Sequence, residues 1–331
     1  MLRNRTSLVL FTALVPMIWG TTYLVTTELL PPGRPLLAAT VRALPAGLAL
    51  VALTRRLPQG GWWWRAAVLG TLTIGAFFAL LFVAAYRLPG GVAATVGAIQ
   101  PLLVLGLASG LLGERLRTRT VVAGFAGLAG VSLLVLRADA RLDAVGVAAS
   151  AGGAVCMALG VVLSKRWPAP VPVLASTGWQ LVAGGLLLLP VTLLVEGPPP
   201  TSLTGSNLVG YGYLAIVGTA LAYVLWFRGI RALPSTNVTF LGLLSPVIAT
   251  ALGWLVLGQA LTPTQAVGGL IVLASVVVPQ LPRVDVRNRR RDPGGARRHR
   301  DGQGDVRGGT DGGARLPRLR DGRTPRARTA A

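Results

Sequence analysis

The stretch YRLPGGVAATVGAIQPLLVLGLASGLLGERL at residues 86–116 decides the fold, because the chain repeats its pattern as RALPSTNVTFLGLLSPVIATALGWLVLGQAL at residues 231–261. The two copies align without a gap at an offset of 145 residues, and the match continues beyond them. Leucine-rich helices match one another by chance, but chance rarely keeps prolines and glycines in register. The chain therefore contains an internal repeat. The paired positions are Pro89 with Pro234, Gly97 with Gly242, Pro101 with Pro246, Gly113 with Gly258 and Gly124 with Gly269.

Composition identifies the chain as a membrane protein. Of its 331 residues 52% are hydrophobic and 13% are charged, with a mean hydropathy of +0.62. A water-soluble domain usually carries roughly 25% charged residues. Apolar runs of about 18–22 residues recur ten times, and each is long enough to cross a bilayer core of ~30 Å. The first run is longer than a signal-peptide core and nine more follow it, so we expect it to be retained. The sequence predicts an all-α membrane protein with ten transmembrane helices.

The repeat divides these ten spans into two groups of five. The first repeat covers residues 8–137, the second covers 143–281, and a basic tail follows at 282–331. Because five is an odd number, the second copy should enter the membrane upside down relative to the first. Inverted repeats are typical of secondary transporters, whose binding sites lie between the halves near the membrane midplane. The pattern therefore predicts two inverted five-helix repeats and transport by alternating access.

Charge in the loops predicts the orientation. One set of short loops holds 12 Lys and Arg residues and the alternate set holds 4, which places both termini in the cytoplasm. The tail holds 15 of the 32 basic residues and should be disordered, close to anionic lipid headgroups. It contains no aromatic residue for stacking on bases, so nucleic acid is not an expected partner. Alternatively, the tail is an extension without a role, encoded by GC-rich codons.

Two prolines fall near the centres of equivalent spans, at Pro101 and Pro246. A proline inside a helix removes one hydrogen bond and pushes against the carbonyl four residues earlier. Paired interruptions of this kind point to a transporter's site, although ordinary kinks that improve packing are the alternative. Glycines stand four positions before the prolines and polar residues directly before them, which favours a role in binding or gating: Gly97, Gln100, Gly242 and Ser245.

Polar and aromatic residues share one face of the first span. Trp19, Thr22 and Tyr23 follow the i, i+3, i+4 spacing of a helix. Such a face can bind a small amphipathic solute. Thr hydroxyls can instead bond back to their own helix.

Arg42 lies near the centre of the second span, where a charge costs roughly 2.5–3.5 kcal/mol on insertion scales. Either it reaches to the membrane surface or it faces the protein interior, as an anchor for an anion or a partner for carbonyls or a carboxylate. The matching place in the second repeat holds Trp179 and Gln180. The eighth span adds a further aromatic face, which either lines the pathway or packs: Tyr223, Trp226 and Phe227. Arg42, Trp179, Gln180 and Tyr223 complete the predicted substrate-binding set.

Motifs for catalysis are missing from the sequence. It has no P-loop and no cysteine–histidine cluster, its one histidine is His299 in the tail, and its one cysteine is Cys156. The spans carry no paired acids for hydrolysis. We therefore expect no enzyme, no cofactor and no metal site.

Residues 8–281 resemble two EamA domains of the drug/metabolite transporter superfamily, closest to its bacterial metabolite-exporter branch. The motifs that carry the resemblance are PMIWGTTYL, LLGERL, WFRGIRALP, LSPVIATALGWLVLGQ and LTPTQAVGGLIV. The resemblance implies ten helices in an inverted repeat around a central cavity, with export of amino acids, related metabolites or toxic compounds. By position, its lining residues would be Trp19, Thr22, Tyr23, Arg42, Gln100, Trp179, Gln180, Tyr223 and Ser245. The second copy has Gln259 where the first has Glu114, which puts the equivalence of the halves in doubt.

The resulting prediction is a secondary exporter of small metabolites, amino-acid-like or aromatic, in the cell membrane. A broader drug or toxic-compound efflux protein is one alternative. The other is a non-transporting scaffold or sensor whose basic tail binds lipid or a partner. The small-molecule substrate itself is not encoded in these motifs.

Overall fold

The prediction of ten helical membrane spans is confirmed. The computed structural model describes residues 5–88, 90–135, 143–258 and 260–281. Within these residues ten helices are long and apolar enough to cross a membrane. The chain is thus a multi-pass membrane protein. The predictions for the tail at 282–331 and for Gln259 concern residues outside the described ones.

The first five spans run from Arg5 to Val135. They are α1 (Arg5–Leu29), α2 (Pro35–Thr54), α3 (Trp62–Gly70) with a π-helical turn (Thr71–Gly75) and α4 (Ala76–Arg87), α5 (Gly90–Gly97) with α6 (Gln100–Leu112), and α7 (Thr118–Val135). The other five are α8 (Ala144–Arg166), α9 (Val173–Val195), α10 (Gly205–Ala215) with a π-helical turn (Ile216–Leu221) and α11 (Ala222–Ala232), α12 (Ser235–Leu241) with α13 (Leu244–Leu257), and α14 (Pro263–Val277). A 3₁₀ turn (Val278–Gln280) follows.

Irregular backbone recurs at the offset of the sequence repeat. The two π-helical turns begin at Thr71 and Ile216, which are 145 residues apart. The sixth and thirteenth helices end on Gly113 and Gly258, with φ of 67° and 64°, a left-handed conformation that glycine adopts without strain. The two halves therefore share local structure as well as sequence.

The fourth and ninth spans are each broken into two helices. The breaks lie at residues 98–99 and 242–243. Pro101 and Pro246 fall in the first turn of the helix that follows each break. A missing N–H costs little there, because the first turn has no intrahelical acceptor for it. The two prolines thus begin new helices instead of kinking continuous ones.

The same helix–helix contacts recur when each helix is replaced by its equivalent in the other half. α2 packs on α9 and α7 on α14, while α4 packs on α8 as α11 packs on α1. A Cβ placed on Gly47 would lie 2.9 Å from Leu181 Cβ, and one on Gly185 would lie 2.8 Å from Leu44 Cβ. Gly47 and Gly185 are therefore equivalent across the interface between α2 and α9. Arg42 and Gln180 each lie five residues before these glycines, so Arg42 is equivalent to Gln180.

Candidate functional site

The π-helical turn of the eighth span leaves one backbone carbonyl available to side chains. In an α-helix the Ala222 amide would donate to the Gly218 carbonyl four residues earlier. Here it donates to the carbonyls of Val217 and Thr219 instead. π-helical turns inside α-helices often lie at functional sites.

Two side chains from the first half converge on the Gly218 carbonyl. Trp19 Nε1 donates to it over 3.2 Å and Arg42 Nη2 over 3.0 Å, while Arg42 Nε donates to Thr219 Oγ1 over 2.8 Å. Arg42 is only 8% exposed. It therefore points into the protein interior and not towards the membrane surface.

One aromatic ring lies against the guanidinium, and three more pack against one another nearby. Arg42 Cζ lies 5.0 Å from the centroid of Phe78, within range of a cation–π interaction. The Trp19 ring lies 5.4 Å from that of Tyr223 and 5.1 Å from that of Trp226. We call Trp19, Arg42, Phe78, Tyr223 and Trp226 the central cluster. It joins the first, second, third and eighth spans.

The central cluster carries a positive charge without an acidic partner. Among the described residues no carboxylate lies within 4.0 Å of the Arg42 guanidinium. Arg42 donates to a backbone carbonyl and a hydroxyl, both neutral. The indole N–H of Trp226, 3% exposed, also lacks a hydrogen-bond partner in the part of the chain described. Such a site suits an anionic group attached to an aromatic or apolar body.

A cleft opens at the end of the bundle that carries Arg231. Its volume is about 20 Å³. Phe227, at its inner wall, lies 5.9 Å from Tyr223 between ring centroids, so aromatic contacts connect the cleft with the central cluster. Arg42 and Tyr223 are nearly fully buried, and a solute reaches them only after the bundle opens. The cleft is lined by residues that include Trp62, Ser164, Trp167, Gln180, Phe227 and Arg231.

Two neighbouring residues of the predicted site separate in the structure. Gln180 lines the cleft. Trp179 instead donates from Nε1 to the Arg56 carbonyl over 2.7 Å, and its ring centroid lies 6.2 Å from that of Trp62. Trp179 thus stabilises the loop between α2 and α3.

The other predicted residues lie beside the central cluster or outside the described structure. Thr22 is half-buried and its hydroxyl has no partner among the described residues. The side chain of Tyr23 is outside the part that the structure describes. The Ser245 carbonyl packs against Gly20 of α1.

The residues around the two helix breaks do not bond to the central cluster. Within the described residues, neither Gln100 nor Ser245 donates a hydrogen bond to it or accepts one from it. A Cβ on Gly242 would lie 4.0 Å from the Trp226 ring, whereas one on Gly97 would have no neighbour within 4 Å. Gating by Gly97, Pro101, Gly242 and Pro246 stays a prediction.

A pair of charged side chains, of which the sequence singled out only Glu114, stabilises the junction between α11 and α12. The Glu114 carboxylate accepts the Ser235 amide over 2.9 Å and the Thr236 hydroxyl over 3.1 Å. We call Glu114 and Lys165 the clasp. Glu114 ties a loop of the first half to the second half, whereas Lys165 bonds within the second half. Lys165 Nζ donates to three carbonyls at the end of α11, those of Ile230 (3.0 Å), Arg231 (3.0 Å) and Leu233 (2.8 Å).

Sequence reasoning also missed Phe78, Gly218 and Thr219. Phe78 stands in an ordinary apolar run, and glycine and threonine are common in membrane helices. In the structure, Gly218 is distinguished by the π-helical turn that contains it, and this turn recurs at the repeat offset. The composition of the helix gives no sign of the turn.

Comparisons with known proteins agree with this fold. The EamA-like transporter family profile matches residues 6–136 and again residues 144–278. Protein PecM of Dickeya dadantii is 48% identical over 272 residues, 82% of this chain and 91% of that protein. The uncharacterized inner membrane transporter YedA of Escherichia coli K12 is 31% identical over 286 residues, 84% and 92% of the two chains. A solved crystal structure, 24% identical, superposes with a TM-score of 0.72 over 87% of this chain and all of its own. The chain therefore belongs to the EamA-like transporter family.

Proposed function

We propose that this transporter exports small carboxylate-bearing metabolites, amino-acid-like or aromatic, across the cytoplasmic membrane as a secondary transporter. The observation that carries the proposal is Arg42, a buried cation that lies over the Phe78 ring and, among the described residues, donates only to neutral oxygens. The proposal places both termini in the cytoplasm, in accordance with the loop charges.

The chemistry of the central cluster favours a carboxylate. A charge inside the membrane costs roughly 2.5–3.5 kcal/mol on insertion scales. A substrate carboxylate could replace the Gly218 carbonyl and the Thr219 hydroxyl as acceptors, and its bonds to the guanidinium fork would be charge-assisted and stronger. Trp19, Phe78 and Tyr223 would then contact the apolar body of the solute. The release of Arg42 from the π-helical turn would free the eighth span to move.

The symmetry of the packing supports alternating access. The reciprocal contact of Gly47 and Gly185 allows the halves to exchange environments by rocking about the contact between α2 and α9. In the described conformation the cleft is open at one end and the central cluster is closed.

Solute counterflow in proteoliposomes tests the proposal. We expect the protein to exchange labelled phenylalanine or a related carboxylate. Arg42→Ala should lose about 10–100-fold in exchange rate, because a hydrogen bond to a charged group contributes about 1.5–3 kcal/mol. The matched control is Arg87→Ala, which removes the same charge from an exposed residue that pairs with Asp143 over 3.7 Å. This control should exchange at the parent rate.

Two outcomes would contradict the proposal. Exchange of cationic drugs that survives Arg42→Ala would favour a multidrug efflux protein. A folded protein that exchanges no solute would favour the scaffold or sensor.

A further inference from the structure

We propose that the cleft is a second solute-binding site, separate from the central cluster, which binds the amino and carboxylate groups of an amino-acid-like solute before the solute reaches Arg42. This inference rests on the proposed function, since it assigns an outer site to the same transport pathway. Its polar groups belong to Ser164, Gln180 and Arg231.

Two buried polar atoms at the cleft lack partners. Gln180 is 5% exposed; its Nε2 donates to the Ser176 carbonyl over 3.3 Å, but its Oε1 accepts no hydrogen bond within the described structure. The hydroxyl of Ser164 is also buried and unpaired there. A buried polar atom without a partner costs about 1–3 kcal/mol. Two such atoms at one opening indicate a ligand that donates hydrogen bonds, as an amino group does.

Arg231 supplies the complementary charge. Its Nη1 donates to the Val171 carbonyl over 3.0 Å and its Nη2 to the Ala169 carbonyl over 2.9 Å. These bonds fix the guanidinium at the cleft wall, and a guanidinium has five N–H groups in all. No carboxylate of the described residues lies within 4.0 Å of it. The remaining donors can therefore bind the carboxylate of a solute.

The walls of the cleft suit an apolar side chain. Trp62, Trp167 and Phe227 line it. Arg65 Cζ lies 5.6 Å from the Trp62 ring centroid and 5.8 Å from that of Trp167, which holds these two rings in place by cation–π contacts. The walls and polar groups together suit an amino acid with an aromatic or aliphatic side chain. At about 20 Å³ the closed cleft admits about one water-sized group, so such a solute enters it only as the bundle opens.

Spacing separates the cleft from the central cluster. Gly47 lies opposite Leu181 and Gly185 lies opposite Leu44, so α2 and α9 run antiparallel. Counted along this pairing, Gln180 of α9 lies opposite a residue of α2 that is about seven residues from Arg42. At 1.5 Å per residue this is about 10 Å. The amino and carboxylate groups of one amino acid are only two bonds apart, a short distance beside this backbone spacing. The solute must therefore occupy the two sites in sequence.

Protection of an introduced cysteine tests the site. In a Cys156→Ala background, Ala169→Cys at the cleft wall reports on the cleft through its rate of reaction with a small methanethiosulfonate reagent. Phenylalanine at about four times its Kd should slow this rate about fivefold, because the free fraction falls by 1 + [L]/Kd. Phenethylamine, which lacks the carboxylate, and N-acetylphenylalanine, which lacks the free amine, should protect less. The control is Gln59→Cys, exposed at the same end of the bundle, which phenylalanine should not protect.

Second substitutions separate the two sites. Gln180→Met, which preserves side-chain size, and Arg231→Gln should each abolish protection, whereas Arg42→Ala should retain it. Loss of protection in Arg42→Ala would overturn the inference, because the cleft would then only report closure around the central cluster. Absence of protection by any probe, with counterflow intact, would also overturn it: the cleft would hold a single bridging water and the proposed function would stand. Protection in a folded protein that shows no counterflow would support the site and contradict the proposed function.

Discussion

At the scale of single residues, Arg42 is stabilised by one hydroxyl and one freed carbonyl. Thr219→Val keeps the shape of the side chain and removes the hydroxyl that accepts from Arg42 Nε. Leaving a buried charged donor without its acceptor costs about 1–3 kcal/mol. We expect a lower melting temperature for the detergent-solubilised protein. Thr201→Val, at an exposed loop position, is the control and should melt with the parent. Equal melting temperatures for the two variants would show that Arg42 Nε donates to another acceptor in Thr219→Val.

Single residues also show where sequence reasoning succeeds and where it fails. The cost of a buried charge was enough to predict that Arg42 faces the protein interior. Trp179 and Gln180 were predicted as a pair, yet only Gln180 lines the cleft. Consecutive residues on a helix point about 100° apart, so a neighbour in sequence is a poor guide to the same wall. The hydrogen bond from Trp179 to Arg56 depends on a loop conformation that no periodicity encodes.

At the scale of helices, the contact between α2 and α9 depends on glycine. A Cβ on Gly185 would lie 2.8–3.0 Å from Leu44 atoms that include backbone. We expect Gly185→Ala to destabilise the protein by about 1–3 kcal/mol, as overpacking does. Gly106→Ala in α6 is the control, because its Cβ would meet nothing within 4 Å and alanine favours a helix by about 1 kcal/mol. Thermal unfolding measures both, and a Gly185→Ala protein as stable as the control would contradict the close contact.

Length and hydropathy were enough to predict the helices themselves, and the proline–glycine register predicted that the halves correspond. The π-helical turns were not predictable. Thr71–Gly75 and Ile216–Leu221 have the composition of any membrane helix, and the extra residue in each turn is stabilised by tertiary packing, which a single sequence does not display.

At the scale of the whole molecule, Glu114 of the clasp joins the two halves at one end. Glu114→Gln removes the charge that accepts from Ser235 and Thr236. Because hydrogen bonds to charged groups contribute about 1.5–3 kcal/mol, amide hydrogen exchange around residues 233–237 should accelerate roughly 10-fold or more. Mass spectrometry of the reconstituted protein measures this rate.

The control for the clasp lies elsewhere in the bundle. The Glu196 carboxylate accepts the amides of Leu36 (2.6 Å) and Leu37 (2.8 Å) at the start of α2. Glu196→Gln should accelerate exchange at residues 36–37 and leave 233–237 unchanged. If each substitution accelerated exchange in both segments, the clasp would stabilise the whole protein and not the junction between α11 and α12 in particular.

The paired π-helical turns also bear on how the chain arose. Each turn amounts to one residue inserted into a helix, and both halves carry it at the same offset of 145 residues. A shared insertion at one aligned position dates from before the gene duplication that joined the halves. The ancestral gene thus encoded a single five-span unit that already contained the turn. The proposed inversion requires copies of that unit to insert into the membrane in both orientations.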